Sequence, residues 1–305
     1  MLLNLRHAKQ SDKNNVLRFC TNTFEWGDYI EQVWDLWYSD PNGYLMVGEE
    51  EEEEDNGVIA AVSHAYVCPN RNRVWLEGIR VNPDFRRKSI GTKLIKKMLE
   101  YGKEQGAKEA AAVVSVNNMA SQAMMEKNGF VVTSRWSYCY SSINSKINQK
   151  PETGQAKIAR LKDKEIICSY LKQSQIFRAA AENYVDSWRW YYLDLGSSIL
   201  QNLIDNKKVV IIMGNHHSII DGVMIINKYN DNVLQIGYLD ASDVLTLRHL
   251  IAYVINNLAH YYELTEKRYE KLQIFIPQIP FFQSAMADLG INQYGQFLLY
   301  RMECY

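Results

Sequence analysis

The chain has 305 residues with 34 Lys+Arg against 35 Asp+Glu, a formal charge of -1, so no bulk field singles out a nucleic acid as partner. At 47% apolar and 23% charged it has ordinary globular usage, which excludes wholesale disorder, and at about 150 residues per domain it has room for two cores. No apolar run nears the roughly 18 residues needed to cross a bilayer, and the opening MLLNLRHAKQ turns charged at Arg6, too early for a secretory leader; a soluble cytoplasmic protein with no membrane partner is expected.

In chain order, a short strand closes over Arg6 to Ala8, and Asp12 to Phe24 carries Val16, Leu17, Phe19 and Cys20 at helical spacing. A second helix with Tyr29, Ile30, Val33, Trp34 and Trp37 stops at Asp40-Pro41, because proline cannot continue it. Tyr44 to Val47 and Val58 to Val67 read as strands joined through Asn56-Gly57, a strong hairpin cue. Between them Glu49 to Asp55 is an unbroken acidic run, expected as a solvated loop tip, and without it 28 acids face 34 bases.

Val74 to Val81 is a strand ending at Asn82-Pro83, Thr92 to Tyr101 an amphipathic helix, and Ala110 to Val116 a continuous apolar run suited to a buried strand. Met119 to Lys127 is helical, stops at Asn128-Gly129, and leads into a strand over Phe130 to Tyr140. Residues Ser141 to Thr153 are polar and aperiodic, which makes a linker. The expected layout is a first domain over 1–142, a linker over 143–154 and a second domain over 155–305.

The second half repeats part of this order. Strands are expected over Val209 to Met213, Gly222 to Lys228 and Val233 to Leu239, then a helix over Asp243 to Tyr262 capped by Ser242 or Asp243. Leu272 to Ile276, Phe282 to Leu289 and Gln296 to Met302 follow as strand, helix and strand, so an internal duplication is expected. The fold class is α/β with a mixed sheet.

The chemistry concentrates in Val74 to Lys97. From Arg71 to Lys97 nine bases stand against Glu77 and Asp84, and Arg86 to Gly91 forms a strand-to-helix turn. Successive N–H groups converge there on the positive end of the helix, a geometry that binds an anion such as a pyrophosphate. A solvated basic helix face is the plainer alternative. The bases are not interleaved with aromatics, so nucleic acid is not the expected partner.

These residues resemble the GNAT acetyltransferases. Arg86-Arg87-Lys88-Ser89-Ile90-Gly91 after Val81-Asn82-Pro83 is similar to that family's pyrophosphate loop, and Asn118-Met119-Ala120-Ser121 through Gly129-Phe130 to a second family block. The resemblance covers roughly residues 3 to 140 and extends to the second half as topology, so two tandem GNAT-like lobes are expected. It implies acetyl-CoA as co-substrate and no metal. It also implies that Ile79, Arg80 and Val81 hold the pantetheine arm, that Arg86, Arg87, Lys88, Ser89, Ile90, Gly91 and Thr92 hold the pyrophosphate, and that Asn118 contacts the pantetheine or the thiol end. Tyr29, Trp34 and Trp37 fall where the family frames the acceptor, although core packing on the sheet is the plainer reading for the tryptophans.

Two positions depart from the family. Ser89 stands at the first loop glycine, and Met125 at the tyrosine that protonates the leaving thiolate. Tyr138 or Tyr140 would substitute, or the thiolate leaves unassisted. Glu77, with Trp75 and Ile79 on one face by period-two alternation, is the expected base; it would then be a buried acid with a raised pKa, or else an ion-pair partner of Arg80 or Arg73. His64 is placed to relay a proton to Glu77 or to serve as a satisfied sheet histidine.

Glu77 to Val81 (EGIRV) and Asp28 to Pro41 (DYIEQVWDLWYSDP) are also similar to the histidine N-acetyltransferase-like branch, which acetylates a free amino acid. The expected activity is therefore transfer of acetyl to a primary amine of a small molecule or amino acid. The alternatives are a protein N-terminal or lysine acetyltransferase and, in another class, a non-catalytic acyl-CoA sensor.

In the second half, Tyr184 to Tyr192 is a dense aromatic stretch, expected as core with Trp188 and Arg189 capping the acceptor cleft. Tyr238 to Asp243 carries two acids where the first half has its basic loop, so no CoA is expected there. His216-His217 reads as a loop rather than a metal site, the five cysteines lack any CxxC pair and read as free thiols, and oligomeric state has no sequence signal.

Overall fold

The computed structural model describes residues 3–25, 27–50, 57–68, 73–142, 156–214, 219–230, 232–257 and 269–304. Arg71, most of the acidic run, the expected linker and His216-His217 lie outside them. The chain divides into two compact units: Met1–Val132 with Tyr300–Tyr305, and Thr133–Leu299. The last residues thus group with the first unit, whereas the sequence expectation drew a single division at 143–154.

The first unit is built on strands β1 (Leu3–His7), β2 (Gly43–Glu50), β3 (Val58–Val67), β4 (Arg73–Val81) and β5 (Glu109–Ser115), adjacent in that order, with Tyr300–Glu303 of the last strand beside β5. The β2 strand continues through Glu49 and Glu50, and Glu49 binds Arg6 at 2.7 Å; these two acids are strand residues, not loop tip. Helices α1 (Lys13–Cys20) and α2 (Ile30–Ser39) follow β1. Ile30, Trp34 and Trp37 recur at the spacing of one helix face and all three are buried, in one cluster with Val16, Leu45 and Val62.

Helix α3 (Ile90–Glu104) follows β4 and buries Ile90, Leu94, Ile95 and Met98, and α4 (Met119–Lys127) follows β5. The parallel pairing of β4 with β5 is confined to Arg73–Trp75 against Glu109–Ala111. Beyond Trp75 that edge of β4 has no strand partner among the described residues. Glu109 accepts from both Arg73 and Arg301, Tyr300 OH donates to Glu126 at 3.0 Å and Cys304 N to Lys108 O at 2.8 Å, which ties the chain's end to this unit.

In the second unit the sheet takes in β6 (Val131–Ser142), β7 (Ala156–Ile158), β10 (Val209–Met213), β11 (Ile220–Asn230), β12 (Val233–Ala241), β13 (Lys271–Pro277) and β14 (Asn292–Glu303), in the order β14-β6-β13-β12-β11-β10-β7. Before β10 come α5 (Lys164–Gln173), α6 (Gln175–Ala179), a hairpin of β8 (Asn183–Asp186) and β9 (Arg189–Tyr192), and α7 (Ile199–Asp205). The aromatic stretch expected as core is this hairpin. Its turn runs through Ser187 and Trp188 with positive φ, and Trp188 packs on Phe275 and Phe297.

Helices α8 (Val244–Asn256) and α9 (Pro280–Asp288) complete the order. Asp243 is the cap of α8, accepting from Thr246 N at 2.7 Å. The run β10, β11, β12, α8, β13, α9, β14 repeats β2, β3, β4, α3, β5, α4, β6. The β12–β13 pair is parallel only over Val233–Ile236 against Lys271–Ile274, so it also parts partway along. The five cysteines are free thiols, and no helix among the described residues is long and apolar enough to cross a membrane.

Candidate active site

The β4 strand does not keep period-two alternation to its end. Its pairing with β3 joins His64 to Glu77 and Val62 to Arg80, so β4 carries one extra residue between them, a bulge. Gly78 sits in it with φ of +66°, and a Cβ there would lie 2.5 Å from the Trp37 ring. The position requires both the left-handed conformation and the missing side chain. The expected common face of Glu77 and Ile79 is therefore broken by the bulge.

Glu77 accepts from His64 Nδ1 at 2.8 Å, with His64 fully buried and the Glu77 side chain 15% exposed. A carboxylate offers only lone pairs, so the proton between them belongs to Nδ1. The imidazole lies flat on Trp37, 4.5 Å between ring centres and 5° between planes, and Tyr29 meets Trp37 edge-on at 6.1 Å. The arginines weighed as partners of Glu77 point elsewhere: Arg73 to Glu109 and Arg80 to Asp28.

Arg80 grips Asp28 in a fork, Nε to Oδ2 at 2.7 Å and Nη2 to Oδ1 at 3.1 Å, and its guanidinium lies 5.0 Å from the Phe24 ring centre and 5.1 Å from that of Tyr29. Burial raises the Asp28 carboxyl, but the hydrogen bonds and charge of Arg80 outweigh it and hold it below the ordinary carboxylate value. Burial likewise pushes the Tyr29 phenol up, against the pull of Arg80. The clamp fixes the loop between α1 and α2 onto β4. Asp28 was missed at the sequence level because its partner is 52 residues away.

Of the expected acceptor residues, Tyr29 and Trp37 come together with Glu77 and His64. Trp34 is fully buried and its indole N–H donates to Gln10 at 3.1 Å. Tyr138 belongs to the second unit, where it packs on Phe275, Trp188 and Tyr294, and burial pushes its phenol up to about 12. Met125 is buried, 1% exposed.

After Val81 a short 3₁₀ turn over Pro83–Phe85 leads to the basic loop. Arg87 and Ser89 both have positive φ, 66° and 59°, and Ser89 caps α3 from the left-handed region. Among the described residues, no N–H from Arg87 to Thr92 meets a backbone acceptor, as the first turn of a helix dictates. Arg86, Arg87 and Lys88 are exposed around this arc, and Lys88 lies over the Phe85 ring at 4.9 Å. Gly91 is required by packing: a Cβ there would lie 2.5 Å from Met124 Sδ.

The free edge of β4 is partly capped, since Ile79 O accepts from Arg80 and Val81 O from Arg86. Asn118 caps α4 by accepting from Ser121 N at 3.0 Å. An arc of unpaired N–H groups ringed by three cations, next to a strand edge without a partner, fits the pyrophosphate and pantetheine arm of coenzyme A. Among the described residues no group of three or more His, Cys, Asp or Glu side chains is placed to hold a metal ion.

A parallel pair that parts midway and a helix start that gathers N–H groups define a mixed α/β fold of the acyl-transferase kind. Residues 13–130 match the model of the acetyltransferase (GNAT) family. It is 36% identical over 78 residues to an aminoglycoside N(6')-acetyltransferase type 1 of Salmonella typhimurium, 25% of this chain and 54% of the relative. A second such protein, from Acinetobacter genomosp. 13, is 35% identical over 81 residues, 26% of this chain and 56% of the relative. The chain thus spans about half the length of the curated relatives it matches.

Among solved structures, a GCN5-related N-acetyltransferase from Sphaerobacter thermophilus superposes with a TM-score of 0.62 at 14% identity, covering 99% of this chain and 96% of that one. A tandem GNAT protein from the clavulanic acid biosynthesis pathway does so at 0.53 and 12%, covering 100% and 99%. At such identities the likeness is one of fold.

Proposed function

We propose that the protein is an acetyl-CoA-dependent N-acetyltransferase whose acceptor is a primary amine of a small molecule or amino acid. The observation that carries this is the His64–Glu77 pair across β3 and β4, with β4 leading through the Pro83–Phe85 turn into the N–H arc. The names of the curated relatives support a small-molecule amine. When bound, acetyl-CoA supplies an activated acetyl thioester.

In this proposal the N–H groups of Arg87 to Thr92, with Arg86, Arg87 and Lys88, bind the pyrophosphate, and the edge at Ile79 to Val81 and Asn118 hold the arm. Glu77 takes the proton from the acceptor ammonium, which frees the amine lone pair for attack on the thioester carbonyl; the C–N bond forms, the C–S bond breaks, and CoA departs as its thiolate, whose low basicity lets it leave unassisted. His64 donates to Oε1 of Glu77 and so orients the carboxylate that receives that proton. Trp37 and Tyr29 frame the amine, and the Arg80–Asp28 clamp holds their loop in place. Tyr138 takes no part in this proposal. The division into an N-terminal domain to residue 142 with the CoA site and a C-terminal domain from 155 without a CoA loop is part of the same proposal.

The test is thiol release from acetyl-CoA over a panel of amino acids, small amines including aminoglycosides, and peptides. Turnover on a small amine is expected. Turnover confined to peptides would make it a protein acetyltransferase, and CoA binding with no turnover on any acceptor would make it a sensor.

A further inference from the structure

The second unit contains a cavity of about 880 Å³, within the range of small-molecule sites. It opens where β12 has left β13, bounded by α5, α6 and the start of α9. Ile166, Ile176, Ile219, Ile279 and Phe281 form apolar walls, and Asp240 lies among them, 2% exposed.

The carboxyl of Asp240 is held by three hydroxyls. Oδ2 accepts from Ser174 at 2.5 Å and Tyr238 at 2.7 Å, and Oδ1 from Tyr170 at 2.8 Å. As a carboxylate Asp240 accepts from all three, each hydroxyl having one hydrogen to give. Tyr170 OH also lies 3.3 Å from Asp221 O, so its single hydrogen serves either that carbonyl or Oδ1, and Oδ1 is open to another donor whenever it serves the carbonyl.

In its ionised form this carboxyl has no basic partner among the described residues. Burial lifts its carboxyl above the ordinary value even against the three hydroxyl bonds. A buried charge without a counter-ion is costly unless something supplies one. The walls contribute no lysine or arginine, so a phosphate ligand would meet repulsion with nothing to offset it. A cation with an apolar body fits both features of the cavity.

We propose that this cavity binds a small amphiphilic ammonium ion, its charged head on Asp240 and its hydrocarbon against the isoleucine walls. Such a site makes the second unit a receptor for an organic amine in its own right. The assignment stands whether or not the first unit transfers acetyl groups.

The experiment is calorimetric titration of the full chain with n-hexylammonium chloride and, separately, 1-hexanol. The ammonium should bind at least about tenfold more tightly than the alcohol, a difference of roughly 1.4 kcal/mol. Asp240→Asn should erase that difference. Should Asp240→Asn fail to fold, Ile219→Trp serves: Ile219 is 56% exposed at the mouth, and the larger ring should weaken ammonium binding about tenfold. Equal binding of amine and alcohol, no binding of either, or ammonium binding that survives both second-unit changes would each overturn the proposal.

Discussion

His64 Nδ1 lies 2.8 Å from Glu77 Oε1 while the same ring stacks on Trp37 at 4.5 Å, so the helix that frames the site also fixes the imidazole that aims the carboxylate. The pair is set by the β3–β4 register and held in position by the bulge at Gly78. If Glu77 is the base, Glu77→Gln preserves shape and removes only the proton acceptor. We expect kcat to fall about a hundredfold or more and the acidic limb of the pH–rate profile to disappear. An unchanged profile would discard Glu77 as base.

The Arg80–Asp28 clamp is nearly buried, with side-chain exposures of 12% and 4%. The folded pKa of Asp28 is depressed below 3.8. Its contribution to stability is therefore complete above that value and drains away as pH falls through the depressed folded pKa. Asp28→Asn should cost about 3 kcal/mol near neutrality. In urea titrations at several pH values, the gap to the wild type should narrow as pH falls below 3.8 and through the depressed folded pKa. A gap independent of pH would show that packing, not charge, holds the loop.

Ser89 adopts φ of 59°, where a Cβ costs about 1–2 kcal/mol. Ser89→Gly should raise stability by roughly 1 kcal/mol, read as a higher melting temperature, and leave or improve CoA affinity. A tenfold or greater loss of affinity would instead make the hydroxyl a phosphate ligand.

Glu109 is shared by Arg73, buried in the sheet, and Arg301 near the chain end. Glu109→Ala should destabilise the fold by about 3 kcal/mol in chemical denaturation. Arg301→Ala, whose side chain is 29% exposed, should cost markedly less. Equal losses would mean that docking of the last strand, rather than the buried Arg73, sets the cost.

Much of the fold was legible because its signals are local. The stripe Ile30, Trp34, Trp37 stopped by Asp40-Pro41, the run at Ala110, the Asp243 cap and the Asn128-Gly129 stop each act within a few residues of chain. The repeated order of strands and helices in the second half could be read for the same reason. The basic turn after Val81-Asn82-Pro83 was readable too, since a strand, a turn and a helix start gather N–H groups by backbone geometry alone.

The partners of the chemical groups were not legible in this way. Period-two alternation carried Ile79 to the face of Glu77, but one extra residue at Gly78 shifts everything beyond it, and a bulge is decided by what packs above it, here Trp37. Asp28 finds Arg80 52 residues on, and Arg301 finds Glu109 192 residues back. Nothing local encodes either pairing. The sequence by itself determined most elements of the first half, the strand and helix order from Val209 on and the basic turn, because hydrogen-bonding pattern and hydrophobic period are properties of neighbouring residues. Only the tertiary structure decided which carboxylate meets which cation or imidazole, because register, bulge and strand docking join residues that share no stretch of chain.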